Sequence, residues 1–306
     1  METIRFEDLE LDAKIMRAIT DMGFEAASPI QGQAIPLELQ GLDIIGQAQT
    51  GTGKTAAFGI PLLQKIDPKN KKPQAIILCP TRELAIQVSE EIRRLAKYMH
   101  GVKVLPIYGG QEIGRQIRSL KDGVQVIIGT PGRVMDHMRR KTVKMDQIHT
   151  VVLDEADEML NMGFTDSINE ILAAIPENRN MLLFSATMPK EIASITKKYM
   201  KDPKEIVIGR KNEGNKNIRD IYYMVRAQDK YLALKRLADY YPNIYGIIFC
   251  RTRKETQEIA DKLIQDGYNA DSLHGELSQA QRDYVMQKFR IKNIQLLVAT
   301  DVAARG

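Results

Sequence analysis

Apolar positions in this chain gather into short runs, each bounded by polar or turn-forming residues. The clearest are QAIILCP (74–80), VQVIIGTP (124–131), TVVLDEAD (150–157), NMLLFSATM (180–188), YGIIFCRT (245–252) and IQLLVATD (294–301). None alternates apolar with polar, so each predicts a strand buried on both faces. Helix-length stretches separate them, which predicts an α/β protein with parallel sheets covered by helices on both sides.

The pattern repeats. AIILCPTRELA, with Cys79, aligns with GIIFCRTRKET, with Cys250, at an offset of 171; VIIGTPGR, with Thr130, aligns with LLVATDVAARG, with Thr300, at an offset of 170. YGG at Tyr108 has a looser counterpart in LHG at Leu273. Strand, threonine–arginine turn and helix recur at near-constant spacing, predicting two copies of one α/β domain. Residues 210–217, RKNEGNKN, contain no apolar side chain and are the expected linker, giving domains 1–209 and 218–306. The second copy is shorter and stops just after an apolar run, which predicts that it is incomplete.

At 306 residues, with 43% apolar and 27% charged residues, the composition is that of a soluble globular protein. No apolar run reaches membrane-spanning length, and the N-terminal segment is too acidic for a signal peptide, so the expected setting is cytoplasmic. Cys79 and Cys250 are the only cysteines, too few for a disulfide framework or a cysteine-rich zinc site. A net charge of +5 permits a polyanionic partner without requiring one.

Within VVLDEADEML (151–160), Asp154, Glu155 and Asp157 follow an apolar run that belongs inside a sheet. Carboxylates at a strand end need water, a cation or a metal. The positive partner is AQTGTGKT (48–55), which follows the apolar DIIG and precedes a helical pattern. It fits the phosphate-loop pattern, with Ala48 in place of the first glycine. Gly51 and Gly53 let backbone N–H groups face phosphate, and the helix N-terminus favours an anion. Ala48, Gln49, Thr50, Gly51, Thr52, Gly53, Lys54 and Thr55 are therefore the expected phosphate cradle, Lys54 reaching the β- and γ-phosphates. Mg²⁺ falls to Thr55 and Asp154, and activation of the attacking water to Glu155. Asp157 is expected to touch another loop. A glycine-rich turn and a solvated helix start are the plainer readings of either motif alone.

In sequence order, GFEAASPIQ (23–31) with Phe6 upstream, AQTGTGKT, PTRELA (80–85), the Gly109–Gly110 pair, TPGR (130–133), DEAD (154–157), SAT (185–187), FCRT (249–252), HGELSQAQR (274–282) and ATDVAARG (299–306) resemble the motif series of the DEAD-box RNA helicases. The similarity is greatest to the bacterial cold-shock and ribosome-assembly type. It implies two RecA-like parallel-sheet domains in tandem, with ATP and Mg²⁺ as ligands and RNA as partner. Gln31 carries a donor and an acceptor and so can read adenine N7 and N6; Phe24 either stacks on the base or is a core aromatic. The resemblance assigns Pro80, Thr81, Arg82, Gly109, Gly110, Thr130, Pro131, Gly132 and Arg133 to one RNA strand's sugar–phosphate backbone, and Arg251, Arg282 and Thr300 to the same task in the second half. Such contacts bind without reading sequence. Ser185 and Thr187 are expected to couple hydrolysis to unwinding, their hydroxyls reaching Asp157. His274, without an i, i+4 histidine partner, is no metal ligand. Ribosome-assembly or RNA-degradation complexes are the implied company.

The family's pattern continues past Gly306 with an aspartate and an arginine-rich motif. The expectation is that these 306 residues bind ATP or ADP but are impaired in RNA-stimulated hydrolysis and unwinding. An ATP-gated RNA clamp, a DNA translocase and a small-molecule phosphate-loop kinase compete with the helicase reading; the kinase leaves the repeated second half unexplained.

Overall fold

The computed structural model describes residues 4–49, 51–208 and 219–300. The expected linker, Thr50 and the last motif residues, 301–306, lie outside them. The chain divides into two compact units, 1–213 and 214–306.

In the first unit the strands are β1 (Ile44–Gln47), β2 (Ala75–Leu78), β3 (Val104–Ile107), β4 (Val126–Gly129), β5 (Thr150–Leu153), β6 (Asn180–Ser185) and β7 (Lys204–Val207). They form one sheet in the order β3-β4-β2-β5-β6-β1-β7, with every pairing parallel. Neighbouring residues along each central strand feed opposite cores. Ile44, Ile77, Val152 and Leu182 join one apolar cluster; Ile45, Ile76, Val151 and Leu183 join the other. Two-sided burial is why these strands read as unbroken apolar runs.

Because the strands are parallel, all their carboxyl ends share one edge of the sheet, the edge where open α/β folds bind ligands. Every first-half motif beginning at a strand end emerges there. Strand β6 lies between β1 and β5, so the residues after it stand between the phosphate loop and the acids.

Gly46 of β1 sits opposite Phe184 of β6. A Cβ on Gly46 would lie 2.5 Å from the Phe184 ring, and that ring packs against Phe58 of the helix Lys54–Gln64, centroids 5.5 Å apart. The bare glycine therefore lets the helix behind the phosphate loop seat on the sheet. Gly46→Ala is expected to cost about 1–3 kcal/mol by overpacking, read as a lowered urea midpoint at unchanged slope.

The second unit contains β8 (Gly246–Cys250), β9 (Ala270–Leu273) and β10 (Leu296–Thr300), parallel and ordered β8-β10-β9. The sequence repeat aligns β2 with β8, β4 with β10 and β3 with β9, and the adjacent trio β2-β4-β3 has the same order. The turns match as well. Thr81 caps the helix Arg82–Leu95 by accepting from Leu84 N–H, and Thr252 caps Arg253–Gln265 by accepting from Glu255 N–H. Their backbone angles agree closely, φ −124° and ψ 157° against φ −126° and ψ 152°. Among the described residues no helix is long and apolar enough to cross a membrane.

Candidate functional site

The loop after β1 is shaped by two left-handed glycines, Gly51 (φ +83°) and Gly53 (φ +90°), a conformation that costs other residues energy. Gly53 is the N-cap of Lys54–Gln64, so the helix opens directly from the loop. Ala48 N–H donates to Ser185 O at 3.2 Å, and Thr52 Oγ1 donates to Gln49 O at 2.9 Å, closing the turn on itself.

Residues 28–31 hold this loop from outside. Ser28 Oγ donates to Thr52 O (2.8 Å) and Gln31 Nε2 donates to Gly53 O (3.1 Å), while Gln31 Oε1 accepts from Ser28 N–H (2.8 Å). A primary amide has two hydrogens and two acceptor directions. One of each is not used by these bonds. Phe24, half-buried, has one face against Phe6, ring centroids 6.2 Å apart, and packs on the first core.

Lys54 Nζ lies 3.7 Å from Asp154 Oδ1, and both side chains are nearly buried, at 7% and 4% exposure. Asp154 Oδ1 accepts no hydrogen bond. Burial pushes the Asp154 carboxyl above the usual carboxylate range, with the Lys54 ammonium pulling it back down. Glu155 is also raised, first by burial and then by Asp154 beside it. Its backbone is left-handed (φ 52°, ψ 51°), an uncommon state for a side chain of this size, and it begins the helix Ala156–Asn161.

The buried, unbonded oxygen of Asp154 and the hydroxyl of Thr55 are hard donors suited to Mg²⁺. Among the described residues no group of three or more His, Cys, Asp or Glu could hold a metal by itself. The donor pair fits Mg²⁺, which takes one or two protein oxygens and fills its octahedron with phosphate and water. The sequence reading missed Glu91, on helix Arg82–Leu95. Burial pushes its carboxyl upward, and the nearby Thr55 hydroxyl draws it back down. Close approach of the two helices at Gly59, where a Cβ would meet Ile92 at 2.5 Å, brings the pair together.

Asp157 Oδ2 accepts from Thr187 N–H at 3.0 Å and from Thr187 Oγ1 at 2.8 Å. Ser185 departs from expectation: its hydroxyl donates to Thr187 O at 2.6 Å and not to Asp157. Ser185 is the last residue of β6 and fully buried, whereas Thr187 has left the sheet and is exposed.

Further along the same edge, Pro80 is buried, Thr81 caps its helix, and the Arg82 guanidinium lies 5.2 Å from the Tyr108 ring centroid. Gly109 and Gly110 are exposed, and Gly110 is left-handed (φ +79°). Thr130 and Pro131 open the helix Pro131–Arg139; Gly132 is exposed, and Arg133 Nη2 donates to Gln111 O at 3.1 Å. In the second unit Arg251 is exposed after β8 and Thr300 ends β10. Arg282 braces its own loop, donating to Leu277 O (3.1 Å) and Gly275 O (2.9 Å). His274 is buried with Nε2 3.0 Å from Gln257 Oε1, a core histidine.

A parallel sheet with a lysine-bearing phosphate loop on one strand, and acids on a second strand one place removed, defines a phosphate-loop nucleotide-binding protein. The chain belongs to the DEAD/DEAH box helicase family, whose model matches residues 28–195; the helicase conserved C-terminal domain model matches residues 229–306. It is 51% identical over 304 residues to the DEAD-box ATP-dependent RNA helicase CshA of Bacillus subtilis, covering 99% of this chain and 61% of that protein. It is 51% identical over 301 residues to CshA of Geobacillus kaustophilus, covering 98% and 64%. The chain thus spans under two thirds of these relatives' length. Among solved structures it resembles S. cerevisiae Dbp5 bound to RNA and ADP BeF3 (TM-score 0.86, 33% identity, 99% of this chain and 77% of that one). It also resembles a DEAD box protein from Methanococcus jannaschii (TM-score 0.65, 44% identity, 100% and 82%).

Proposed function

We propose that this chain is the ATP- and RNA-binding part of a DEAD-box RNA helicase, which couples ATP binding and hydrolysis to local RNA duplex opening by closing two RecA-like domains. The observation that carries this reading is the Lys54–Asp154 pair, with its unbonded carboxylate oxygen, on the same sheet edge as Arg82, Gly109, Gly110 and Arg133. The family match, and the likeness to Dbp5 bound to RNA and ADP BeF3, support it.

In this reading residues 48–55 surround the triphosphate, with backbone N–H groups and Lys54 donating to phosphate oxygens. Gln31 offers Nε2–H to adenine N7 and Oε1 to the N6 amine; guanine presents acceptors at both places, leaving Oε1 opposed to a lone pair. Thr55 and Asp154 would hold Mg²⁺, with Glu91 beside the Thr55 hydroxyl. Mg²⁺, when bound, neutralises charge developing on the β- and γ-phosphate oxygens. Glu155 orients the attacking water and accepts its proton, and the Asp157–Thr187 contact carries the state of the acids to the end of β6.

Thr81, Arg82, Thr130 and Arg133, with the close approach allowed at Gly109, Gly110 and Gly132, grip one RNA strand by its backbone; Pro80 and Pro131 set the turns. Arg251, Arg282 and Thr300 extend the grip in the second domain. A ligand that binds both domains favours the closed state, so ATP and RNA affinities are positively coupled. A cytoplasmic setting and ribosome-assembly or RNA-degradation partners belong to the same reading.

The test has two arms. ATPase rates are measured with RNA, with DNA and with neither, on a chain of the relatives' full length; stimulation by RNA alone is expected, and equal stimulation by DNA rejects the RNA assignment. RNA affinity of the present chain is expected to fall with salt, with a log–log slope of about 0.7 per phosphate contact. A flat response rejects the backbone grip.

A further inference from the structure

Beneath the proposed RNA face runs a buried chain of polar side chains that the nucleotide chemistry does not use. Gln116, 1% exposed on helix Ile113–Lys121, donates from Nε2 to Tyr108 O (3.1 Å) and to Gln111 Oε1 (2.9 Å). These bonds clamp both ends of the turn that contains Gly109 and Gly110. Arg133 Nη2 donates to Gln111 O at 3.1 Å, so the arginine is fastened to the same turn. Below Gln116, His137 is fully buried on helix Pro131–Arg139, with Nε2 3.0 Å from Gln116 Oε1 and Nδ1 2.8 Å from Thr142 Oγ1.

The bonds fix the chemistry. Both amide hydrogens of Gln116 are spent, so its Oε1 must face a donor, and His137 carries its hydrogen on Nε2. Burial, joined by the Arg133 guanidinium, lowers the pKa of the ring and so favours the neutral form, in which Nδ1 accepts from the Thr142 hydroxyl, a group also within reach of His137 O. A buried histidine commonly just satisfies its own ring. This one ends a chain whose far members are the backbone of the glycine turn and the anchor of Arg133.

We propose that His137 and Gln116 are positioning residues for the RNA grip: His137 Nε2–H orients the Gln116 amide, and that amide holds the 108–111 turn and Arg133 in one rigid phosphate-binding arrangement. The proposal rests on the RNA reading above. The guanidinium has five donors, so anchoring through one leaves the fork able to meet a phosphate.

The test uses the whole chain with four variants. Gln116→Glu keeps an acceptor for His137 but cannot donate to Tyr108 O or Gln111 Oε1. His137→Leu removes the donor, and His137→Gln restores one on a side chain of similar reach. Gln116→Ala removes the amide. Affinity for a fluorescein-labelled single-stranded RNA is read by anisotropy and affinity for a fluorescent ADP by titration, with backbone amide exchange of residues 108–112 alongside. Gln116→Glu, Gln116→Ala and His137→Leu are expected to weaken RNA binding about tenfold, the worth of one lost charge-assisted contact. Fluorescent-ADP affinity is expected to stay at the wild-type level, and His137→Gln to bind RNA as wild type does. Amide exchange at 108–112 is expected to quicken about tenfold or more in the three damaging variants only, as local opening becomes easier.

Parallel loss of ADP binding, failure of His137→Gln to rescue, or unchanged exchange at 108–112 would each overturn the brace. If the wild-type chain binds the nucleotide but no RNA, the RNA reading of this face falls instead, while the exchange data still decide the brace.

Discussion

Lys54→Ala is expected to weaken ATP and ADP binding about 100-fold, equivalent to about 3 kcal/mol at tenfold per 1.4 kcal/mol, and to destabilise the nucleotide-free fold as well. The first effect follows from losing charge-assisted bonds to two phosphates. The second follows from Asp154, which is buried and pushed up by burial with Lys54 as its nearby counter-charge. Removing one partner of a buried ion pair costs about 3–5 kcal/mol, because the other charge stays in place. Asp154 can escape by taking a proton, and the sign follows. A carboxyl raised above its unfolded value gives stability below the unfolded pKa and loses it as pH rises through the folded one. The stability deficit of Lys54→Ala should therefore shrink as pH is lowered, and Asp154→Asn in the same chain should recover much of it without recovering nucleotide binding. Urea unfolding at several pH values and fluorescent-ADP titration read both. A variant as stable as wild type at neutral pH, with nucleotide affinity intact, rejects the pairing.

Glu155→Gln is expected to lower the hydrolysis rate by about 10²–10⁴, the usual worth of a general base, in a chain of the relatives' full length. ATP affinity should stay within about twofold, since the amide keeps the shape and the base does not grip the triphosphate. Burial and the neighbouring Asp154 already raise this carboxyl, which makes it a better proton acceptor than an exposed glutamate. Glutamine meets the same left-handed backbone as glutamate, so the change from acid to amide leaves the turn in place. Single-turnover hydrolysis beside equilibrium ATP binding separates the two quantities. Turnover that persists assigns the water to another group.

The central strands were legible because both faces are buried: β2, β4, β5 and β6 appear in the sequence as uninterrupted apolar runs. The outer strands carried weaker signals. β3 contains Pro106, which an edge position tolerates because its missing N–H faces no neighbour, and β7 reads Lys-Glu-Ile-Val with a single buried side chain. β9, Ala-Asp-Ser-Leu, is polar at its middle. The repeat was legible down to Cys79 and Cys250, because a threonine cap with a fixed dihedral is a local device written in adjacent residues. The same holds for the phosphate loop and the acids, where spacing along the chain is the chemistry.

Partners drawn from distant segments could not be read this way. Nothing local announces that Ser28 meets Thr52, that Glu91 lies beside Thr55, or that Gln116 joins His137. Ser185 shows the opposite error. Two hydroxyls in one short motif seemed equivalent, yet the pleat turns one into the sheet and releases the other to the surface.

The two side chains that fasten Thr52 and Gly53 from behind have a further consequence. They occupy carbonyl oxygens whose lone pairs would otherwise oppose a phosphate. If this loop takes phosphate as proposed, the part of it held at Thr52 and Gly53 is set before any ligand arrives, and the entropy of fixing that part is surrendered during folding and not on association. Even inorganic triphosphate, lacking sugar and base, should find the turn ready-made, with the purine adding selectivity to a socket that folding alone has formed.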